Sequence, residues 1–208
     1  MPVIAITGGV GAGKSSVASL FADLGANALS ADVAAREVLE PGSKALDTVI
    51  REFGRDFLQP DGSLDRKKMA ALVFSKSEAR LRLEAITHPA IREVIRKRIS
   101  SILDGAPDAV IVVEVPLLYE TGIESGYDAV IAVVSSKENQ VSRLAARDGL
   151  SAAEIEKRIA AQLTMEEKAR RADYVIENDG NRDALKQKVR SVWDRILKSG
   201  TESKANYQ

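Results

Sequence analysis

The stretch "VIAITGGVGAGKSSV" (residues 3–17) decides the fold class of this chain. Its first five residues form an unbroken run without charge, which is typical of a strand buried on both faces of a parallel sheet. Gly8 and the run Gly13-Lys14-Ser15 fill every fixed position of the G-x-x-x-x-G-K-[ST] motif, and a helical pattern begins at Lys14. The motif thus stands between a strand and a helix, where its backbone N–H groups bind phosphate. The stretch predicts a nucleoside triphosphate site on an α/β fold.

Each residue of this phosphate loop has an expected task. The glycines turn backbone N–H groups toward the β-phosphate, Lys14 bridges the β- and γ-phosphates, and Ser15 ligates Mg²⁺. A GTPase would be expected to carry a guanine-reading N-K-x-D after a later strand, and the sequence has none. ATP and a kinase are therefore favoured. The residues expected to bind the nucleotide are Gly8, Gly9, Val10, Gly11, Ala12, Gly13, Lys14, Ser15 and Ser16.

Four further runs predict the remaining strands of a five-stranded, mainly parallel sheet flanked by helices: 27–31, 109–115, 129–134 and 174–178. Strands that alternate with helical patterns indicate an α/β domain. A helical pattern follows the last strand over about 182–198.

The long segments between strands divide the predicted domain, which covers residues 1–198. A nucleotide-binding core takes about 1–32, 109–136 and 172–198. A helical acceptor-binding lobe takes about 33–108, because so long a stretch cannot be a connecting loop. His88-Pro89 predicts a break there, with Pro89 in the first turn of a new helix. A helical lid takes about 137–171, as two helices joined by a turn. Residues 199–208, with little apolar surface to bury, are expected to be disordered.

Composition narrows the function classes. Thirty basic residues balance thirty acidic ones, so no overall field favours nucleic acid or an anionic membrane. The absence of cysteine excludes disulfides and thiolate catalysis, and the single histidine excludes a multi-histidine metal site. We find no signal peptide and no membrane span, and we expect a cytoplasmic location without nucleic-acid or membrane partners.

Charged residues at strand ends and on one helix face are the candidates for catalysis and for binding of phosphate or metal. Asp32 follows the second strand, at the sheet edge where ligands bind, and Arg36 lies one turn on. The two fit a base with an anion-holding arginine, and equally a helix cap with an ion pair. Glu114 ends the third strand and fits either a metal-linked carboxylate or a solvated charge. Arg143 and Arg147 fit either cations that close over phosphates or an exposed helix face.

Several motifs in order give the sequence a family resemblance. They are "ADVAAREVLEPGSKAL" (31–46), "DGSLDR" (61–66), "HPAIR" (88–92), "VPLLYE" (115–120) and "ADYVIENDG" (172–180). Together with the phosphate loop they resemble the dephospho-CoA kinase family, from Val3 to about Gly180. The resemblance implies a P-loop NTPase fold and transfer of the ATP γ-phosphoryl group to the ribose 3′-hydroxyl of dephospho-CoA, with Mg²⁺.

The resemblance also implies roles for individual residues. Asp32 is the expected base, Lys14, Arg143 and Arg147 assist transfer, and Asn178 is the expected adenine contact. Ser15 and Glu114 are the expected metal ligands, and the acceptor is expected to contact Asp32, Arg36, His88, Pro116, Leu117 and Leu118. Many members read Asp-Ala-Asp where this chain has Ser30-Ala31-Asp32, so one carboxylate of that motif is missing here.

Two alternatives remain open on sequence alone. A nucleoside or nucleoside-monophosphate kinase would use the same core with another acceptor, and a non-catalytic ATP-gated binding protein would need neither the base nor the arginines. The chain is expected to be a monomer or a weak homo-oligomer.

Overall fold

A computed structural model describes residues 2–205 and contains one five-stranded sheet. The strands are β1 (Val3–Gly8), β2 (Asn27–Ser30), β3 (Ile111–Glu114), β4 (Ala129–Val134) and β5 (Tyr174–Glu177), in the order β2-β3-β1-β4-β5. β1 pairs in parallel with both β3 and β4, and β4 pairs in parallel with β5. The strand that leads into the phosphate loop therefore lies at the centre of the sheet. The predicted fold class is confirmed.

Nine α-helices are present in the described part of the chain. They are α1 (Lys14–Asp23), α2 (Ala31–Glu37), α3 (Lys44–Phe53), α4 (Arg66–Ser75), α5 (Ser77–Gly105), α6 (Lys137–Asp148), α7 (Ala152–Ala160), α8 (Met165–Arg171) and α9 (Arg182–Ala205). None of these helices is long and apolar enough to cross a membrane. The chain forms two compact units, one containing the residues up to Leu29 and from Ile102 onward, the other Ser30–Ser101.

In the first unit, α1 and α9 pack with the sheet around one apolar core. Ile4 and Ile6 of β1 are fully buried, as is Phe21 of α1, whose ring centroid lies 6.2 Å from that of Trp193 in α9. Gly25, with a φ of +102°, follows the C-terminal end of α1, a position where glycine commonly ends a helix.

The second unit has a core of its own, built from the residues that follow α2 and from α3, α4 and α5. Leu46 and Val49 of α3 and Met69 of α4 are buried in it. The predicted break at His88-Pro89 is wrong, because α5 continues from Ser77 to Gly105 with Pro89 inside it. Ile86 and Ile91, on either side of Pro89, pack on this core and hold the two halves in one helix. The carbonyl group that loses its N–H partner is that of Ala85, an exposed residue, so water can satisfy it.

Two further expectations differ from the structure. Residues 137–171 form three helices instead of two, because Thr164 accepts a hydrogen bond from Glu167 N and begins α8 after a short turn. Helix α9 continues to Ala205, so residues 199–205, expected to be disordered, have a helical backbone. The rest of that predicted tail, 206–208, lies outside the described residues. A capping box formed by Ser151 and Glu154 is present at the start of α7.

Candidate active site

The phosphate loop follows β1 directly and ends at the first residue of α1. Lys14 is buried, and its ammonium group donates hydrogen bonds to the carbonyl oxygens of Gly8 and Gly9 at 3.2 and 3.1 Å. The side chain is therefore folded back over the start of the loop. This places its positive charge on the inner side of the turn, where the motif positions the lysine for a phosphate chain.

Close packing explains why two loop positions are glycine. A Cβ atom at Gly8 would lie 2.3 Å from the carbonyl oxygen of Val133, in the neighbouring strand β4. A Cβ atom at Gly13 would lie 2.1 Å from the side-chain nitrogen of Asn178, and Gly13 also has a φ of +89°. A side chain at position 8 would therefore push on the backbone of β4, and one at position 13 would displace the Asn178 amide and strain the backbone.

Ser15 and Glu114 meet beside the loop. In the parallel pairing of β1 and β3, Glu114 is opposite Ile6, so the carboxylate ends β3 at the edge from which the loop starts. The Ser15 hydroxyl donates a hydrogen bond to Glu114 Oε1 at 3.0 Å. Two hard oxygen ligands thus lie side by side, which is the kind of partial site that Mg²⁺ uses together with substrate phosphates and water. Among the described side chains, those of residues 2–198, no group of three or more His, Cys, Asp or Glu could hold a metal alone.

Arg143 and Asn178 brace the loop from two other elements. Arg143, in α6, donates from Nη1 to the carbonyl oxygens of Gly11 and Ala12 at 3.3 Å each, and from Nη2 to the Asn178 carbonyl at 2.6 Å. The side-chain amide of Asn178 donates to the Ala12 carbonyl at 2.8 Å. Asn178 was predicted to contact adenine, whereas in the structure its amide nitrogen binds the loop.

Arg147 has different surroundings from Arg143. Its guanidinium group donates two hydrogen bonds to the carboxylate of Asp148, at 2.7 and 2.9 Å, and the side chain is exposed. The sequence left two alternatives open for both arginines, cations that close over phosphates or residues of an exposed helix face. In the structure Arg143 binds the phosphate loop, while Arg147 forms a surface ion pair.

A cavity of about 540 Å³ opens beside the α1 end of the loop. Its wall combines the start of α1 with the connection from β5 to α9. The lining includes Gly13, Ser15, Ser16, Arg143, Asn178, Gly180, Asn181 and Arg182. Asn178 thus borders a space large enough for a nucleoside, although its side-chain amide donates its hydrogen bond to the Ala12 carbonyl.

Asp179 joins the ends of β4 and β5, a contact that was not predicted from the sequence. Its Oδ1 accepts hydrogen bonds from the hydroxyl of Ser135, the N–H of Ser136 and the side-chain amide of Asn139, at 2.6, 2.8 and 2.8 Å. These donors, with the Ser135 hydroxyl first, lower the pKa of Asp179 to about 2. The carboxylate therefore holds together two connections that border the loop and the cavity.

Lys168 anchors α8 in the core of the first unit. Its side chain is fully buried, and its ammonium group lies 2.8 Å both from the carbonyl oxygen of Pro116 and from Glu120 Oε1. The Thr7 hydroxyl also donates to the Pro116 carbonyl, at 3.3 Å. This contact could not be predicted from the sequence, because "MEEKARR" (165–171) has the pattern of an exposed helix.

The predicted acceptor residues after β3 have different exposures. Leu118 is fully buried and belongs to the core, which leaves its side chain no surface for a ligand. Leu117 is exposed, and Pro116 is held through its carbonyl group. Of the three, Leu117 has the most exposed side chain, and Pro116 is half-buried.

Three predicted site residues belong to the second unit, Ser30–Ser101. Asp32 is exposed in the first turn of α2, and within that unit, all of which is described, its carboxylate accepts no hydrogen bond and forms no ion pair. The predicted alternative of a capping Asp32 paired with Arg36 is wrong, since Ser30 is the N-cap and accepts the Val33 N–H at 3.4 Å. His88 is half-buried within α5.

Known proteins similar to this chain agree with one another. The family model described as dephospho-CoA kinase matches residues 2–184. A dephospho-CoA kinase of Anaeromyxobacter dehalogenans is 47% identical over 95% of this chain and 91% of its own length. One of Moorella thermoacetica is 43% identical over 94% and 92% of the two chains.

Solved structures give the same result at the level of the fold. The structure of dephospho-CoA kinase from Campylobacter jejuni superposes with a TM-score of 0.70 at 30% identity, over 95% of this chain and 98% of its own. A Thermus thermophilus protein gives a TM-score of 0.79 at 34% identity, over 93% and 97%. Shikimate kinase from Acinetobacter baumannii, at 18% identity and a TM-score of 0.54 over 96% and 94%, shares the fold alone.

Proposed function

The chain belongs to the dephospho-CoA kinase family, and from that premise we propose how its own residues carry out the ATP-dependent phosphorylation of dephospho-CoA to coenzyme A. The observation that carries the proposal is the phosphate loop itself. Buried Lys14 supplies a positive charge, and Ser15 and Glu114, whose hydroxyl and carboxylate oxygens lie 3.0 Å apart, supply oxygen ligands for a metal ion. Phosphoryl transfer requires both kinds of group.

ATP is proposed to lie along the loop with its nucleoside in the cavity at the α1 end. The N–H groups of Gly11 and Gly13 face the phosphates, and Arg143 keeps the carbonyls of Gly11 and Ala12 turned away from them by binding them at 3.3 Å. This arrangement supplies donors to the phosphates without presenting carbonyl oxygens that would repel them.

Mg²⁺ is proposed to bind at Ser15 and Glu114, whose oxygens suit a hard cation. When bound, the ion would neutralise charge on the phosphate oxygens of ATP. Glu114 also accepts the Ser15 hydroxyl hydrogen bond and so fixes the orientation of that ligand. Lys14 contributes a second positive charge that needs no metal.

Asp32 is proposed to orient the 3′-hydroxyl of the acceptor and accept its proton. A ribose hydroxyl is a weak nucleophile at neutral pH, and a carboxylate within hydrogen-bond reach can remove its proton as the bond to phosphorus forms. What supports this role is that the carboxylate is exposed and that no side chain of its own unit occupies it. Arg36 and His88, with Leu117, are proposed to contact the remainder of dephospho-CoA.

Several broader properties complete the proposal. Dephospho-CoA is the small-molecule partner, and neither nucleic acid nor a membrane is needed for activity, in keeping with the balanced charge of the chain. We propose a cytoplasmic enzyme that works as a monomer or a weak homo-oligomer. Residues 137–171 are proposed to close over the reacting groups, and residues 33–108 to bind the acceptor.

A panel of acceptors tests the proposed function directly. The full-length protein is mixed with ATP and Mg²⁺, ADP formation is followed, and dephospho-CoA, adenosine and AMP are compared at equal concentrations. We expect ADP to form with dephospho-CoA alone. Turnover with adenosine or AMP instead would identify a nucleoside or nucleotide kinase, and ATP consumption that depends on no acceptor would support an ATP-gated binding protein.

A further inference from the structure

Gln162, in the turn between α7 and α8, and Met165, the first residue of α8, both contact the phosphate loop with their side chains, and the mechanism above uses neither. The side-chain oxygen Oε1 of Gln162 accepts a hydrogen bond from the N–H of Val10 at 3.0 Å. The sulfur of Met165 accepts one from the N–H of Gly9 at 3.3 Å. We call these two side chains, Gln162 and Met165, the plug.

The plug occupies one half of the loop and leaves the other half open. The N–H groups of Gly11 and Gly13 donate to no acceptor among the backbone and side-chain atoms that the structure describes for residues 2–198. Those of Gly9 and Val10 are both taken by the plug. Backbone N–H groups of a phosphate loop are the donors that hold phosphate oxygens, so the two halves differ in what a phosphate must displace.

The direction of ATP along the loop follows from two contacts. The cavity proposed for the nucleoside is lined by Gly13, Ser15 and Ser16, at the α1 end. The Lys14 ammonium group, which in this motif reaches the β- and γ-phosphates, lies on the carbonyls of Gly8 and Gly9 at the opposite end. The terminal phosphate of ATP therefore meets the half of the loop that the plug occupies.

We propose that Gln162 couples the terminal phosphate of ATP to the position of the α7–α8 turn. A γ-phosphate oxygen competes with Gln162 Oε1 for the Val10 N–H and releases the turn, whereas ADP binds the open half and leaves the contact in place. Part of the binding free energy of the third phosphate is then used to move the turn, so that motion follows binding of the triphosphate. This inference rests on the proposed binding of ATP to the loop.

Binding measurements on three variants of the full-length protein test the coupling. Dissociation constants for ATP and for ADP, both with Mg²⁺ and without acceptor, are measured by calorimetry for the wild type, Gln162→Ala and Gln162→Glu. Gln187→Ala, on the exposed surface of α9, is the matched control. Thermal unfolding of each variant checks that it folds.

The expected results have opposite signs for the two substitutions at Gln162. Gln162→Ala removes the competitor, and the dissociation constant for ATP should fall about two- to tenfold, the range of one net hydrogen bond, while that for ADP stays constant. Gln162→Glu keeps the acceptor atom, binds the N–H more strongly and repels the γ-phosphate, so ATP should bind on the order of tenfold more weakly with a smaller change for ADP. Gln187→Ala should change neither constant.

Hydrogen exchange gives a second measurement. In the wild type, ATP should speed amide exchange of residues 161–165, and ADP should not. Weaker ATP binding by Gln162→Ala would mean that Gln162 binds phosphate, and it would overturn the proposal. Equal changes in the dissociation constants for ATP and ADP would also overturn it, as would equal exchange rates of residues 161–165 with the two nucleotides. A wild type that binds neither nucleotide would instead refute the proposed function, which the acceptor panel tests separately.

Discussion

The side-chain amide of Asn178 donates a hydrogen bond to the carbonyl oxygen of Ala12 across 2.8 Å, so the end of β5 is tied to the middle of the phosphate loop. Arg143 binds the backbone carbonyls of both residues. The geometry of the loop therefore depends on contacts more than a hundred residues away in the sequence, and its affinity for phosphate should depend on them too.

Asn178→Asp should weaken ATP binding more than Asn178→Ala does. The aspartate places a negative oxygen against the Ala12 carbonyl, where the asparagine places a donor, and an unmatched buried group costs about 1–3 kcal/mol or more. We expect the KM for ATP to rise about tenfold or more in Asn178→Asp, with a smaller rise in Asn178→Ala. Steady-state kinetics measure this, with Asn27→Ala in β2 as the control. Unchanged KM values in both variants would mean that the contact does not shape the loop.

Glu114→Gln should raise the Mg²⁺ concentration needed for half-maximal activity. The amide still accepts the Ser15 hydrogen bond, but it lacks the charge that attracts the cation. Titration of activity against Mg²⁺ measures the shift, which should be on the order of tenfold. Glu177→Gln provides a matched control, since Glu177 also ends a strand and pairs with Lys188 on the surface. A Glu114→Gln variant with the wild-type requirement would remove Glu114 from the metal site.

The amide hydrogens of helix α7 should exchange faster than those of α8. Exchange in α7 should become slower when ATP and dephospho-CoA are both bound. In the structure α7 packs on α6, while α8 packs against β1 and β4 and is anchored by buried Lys168. A closing segment excludes water from the transferred phosphoryl group, and the less anchored helix is the one free to move. Hydrogen exchange resolved by segment measures this. Equal protection of α7 with and without ligands would argue against closure of residues 137–171.

Whether a feature could be predicted from the sequence depends on how far apart in the chain the interacting residues lie. The positions of the phosphate loop and of Ser15 between β1 and α1 were predicted, because the strand, the glycine turn and the start of the helix are formed by consecutive residues. Lys168 and Asn178 could not be assigned their contacts, because nothing near them in sequence indicates the Pro116 or Ala12 carbonyl. At Pro89 the local rule failed, since core packing on both sides keeps the helix continuous.

Asp179 should make the stability of the fold depend on pH in the acid range. Hydrogen bonds from the Ser135 hydroxyl, Asn139 and the Ser136 N–H lower its pKa from 3.8 to about 2. Its folded pKa lies below the unfolded one, so the carboxylate stabilises the fold above about pH 4, and this contribution is lost as the pH falls from about 4 to 2. Asp179→Asn should lose less thermal stability over that interval than the wild type.

Melting temperatures measured at steps between pH 5 and pH 2 test this, with Asp183→Asn as the comparison. Asp183 lies in the first turn of α9 and pairs with Lys186 on the surface. Parallel pH profiles for the wild type and Asp179→Asn would show that the hydrogen-bonded carboxylate does not contribute in this range.

Asp32→Asn should lower kcat by roughly 10²–10⁴, the range expected when a general base is lost, with little change in ATP affinity. Asparagine keeps the shape of the side chain and can still orient a hydroxyl group, but it cannot accept the proton. Ser30 already caps α2, so the substitution leaves the start of the helix intact. Asp47→Asn is a matched control, because Asp47 is an exposed aspartate in the first turn of α3 within the same unit.

If Asp32 acted on the metal instead, a higher Mg²⁺ concentration would restore much of the lost rate. A variant with wild-type kcat would move the search for the base to another carboxylate, whereas a loss confined to kcat and unaffected by Mg²⁺ is what proton acceptance by Asp32 requires.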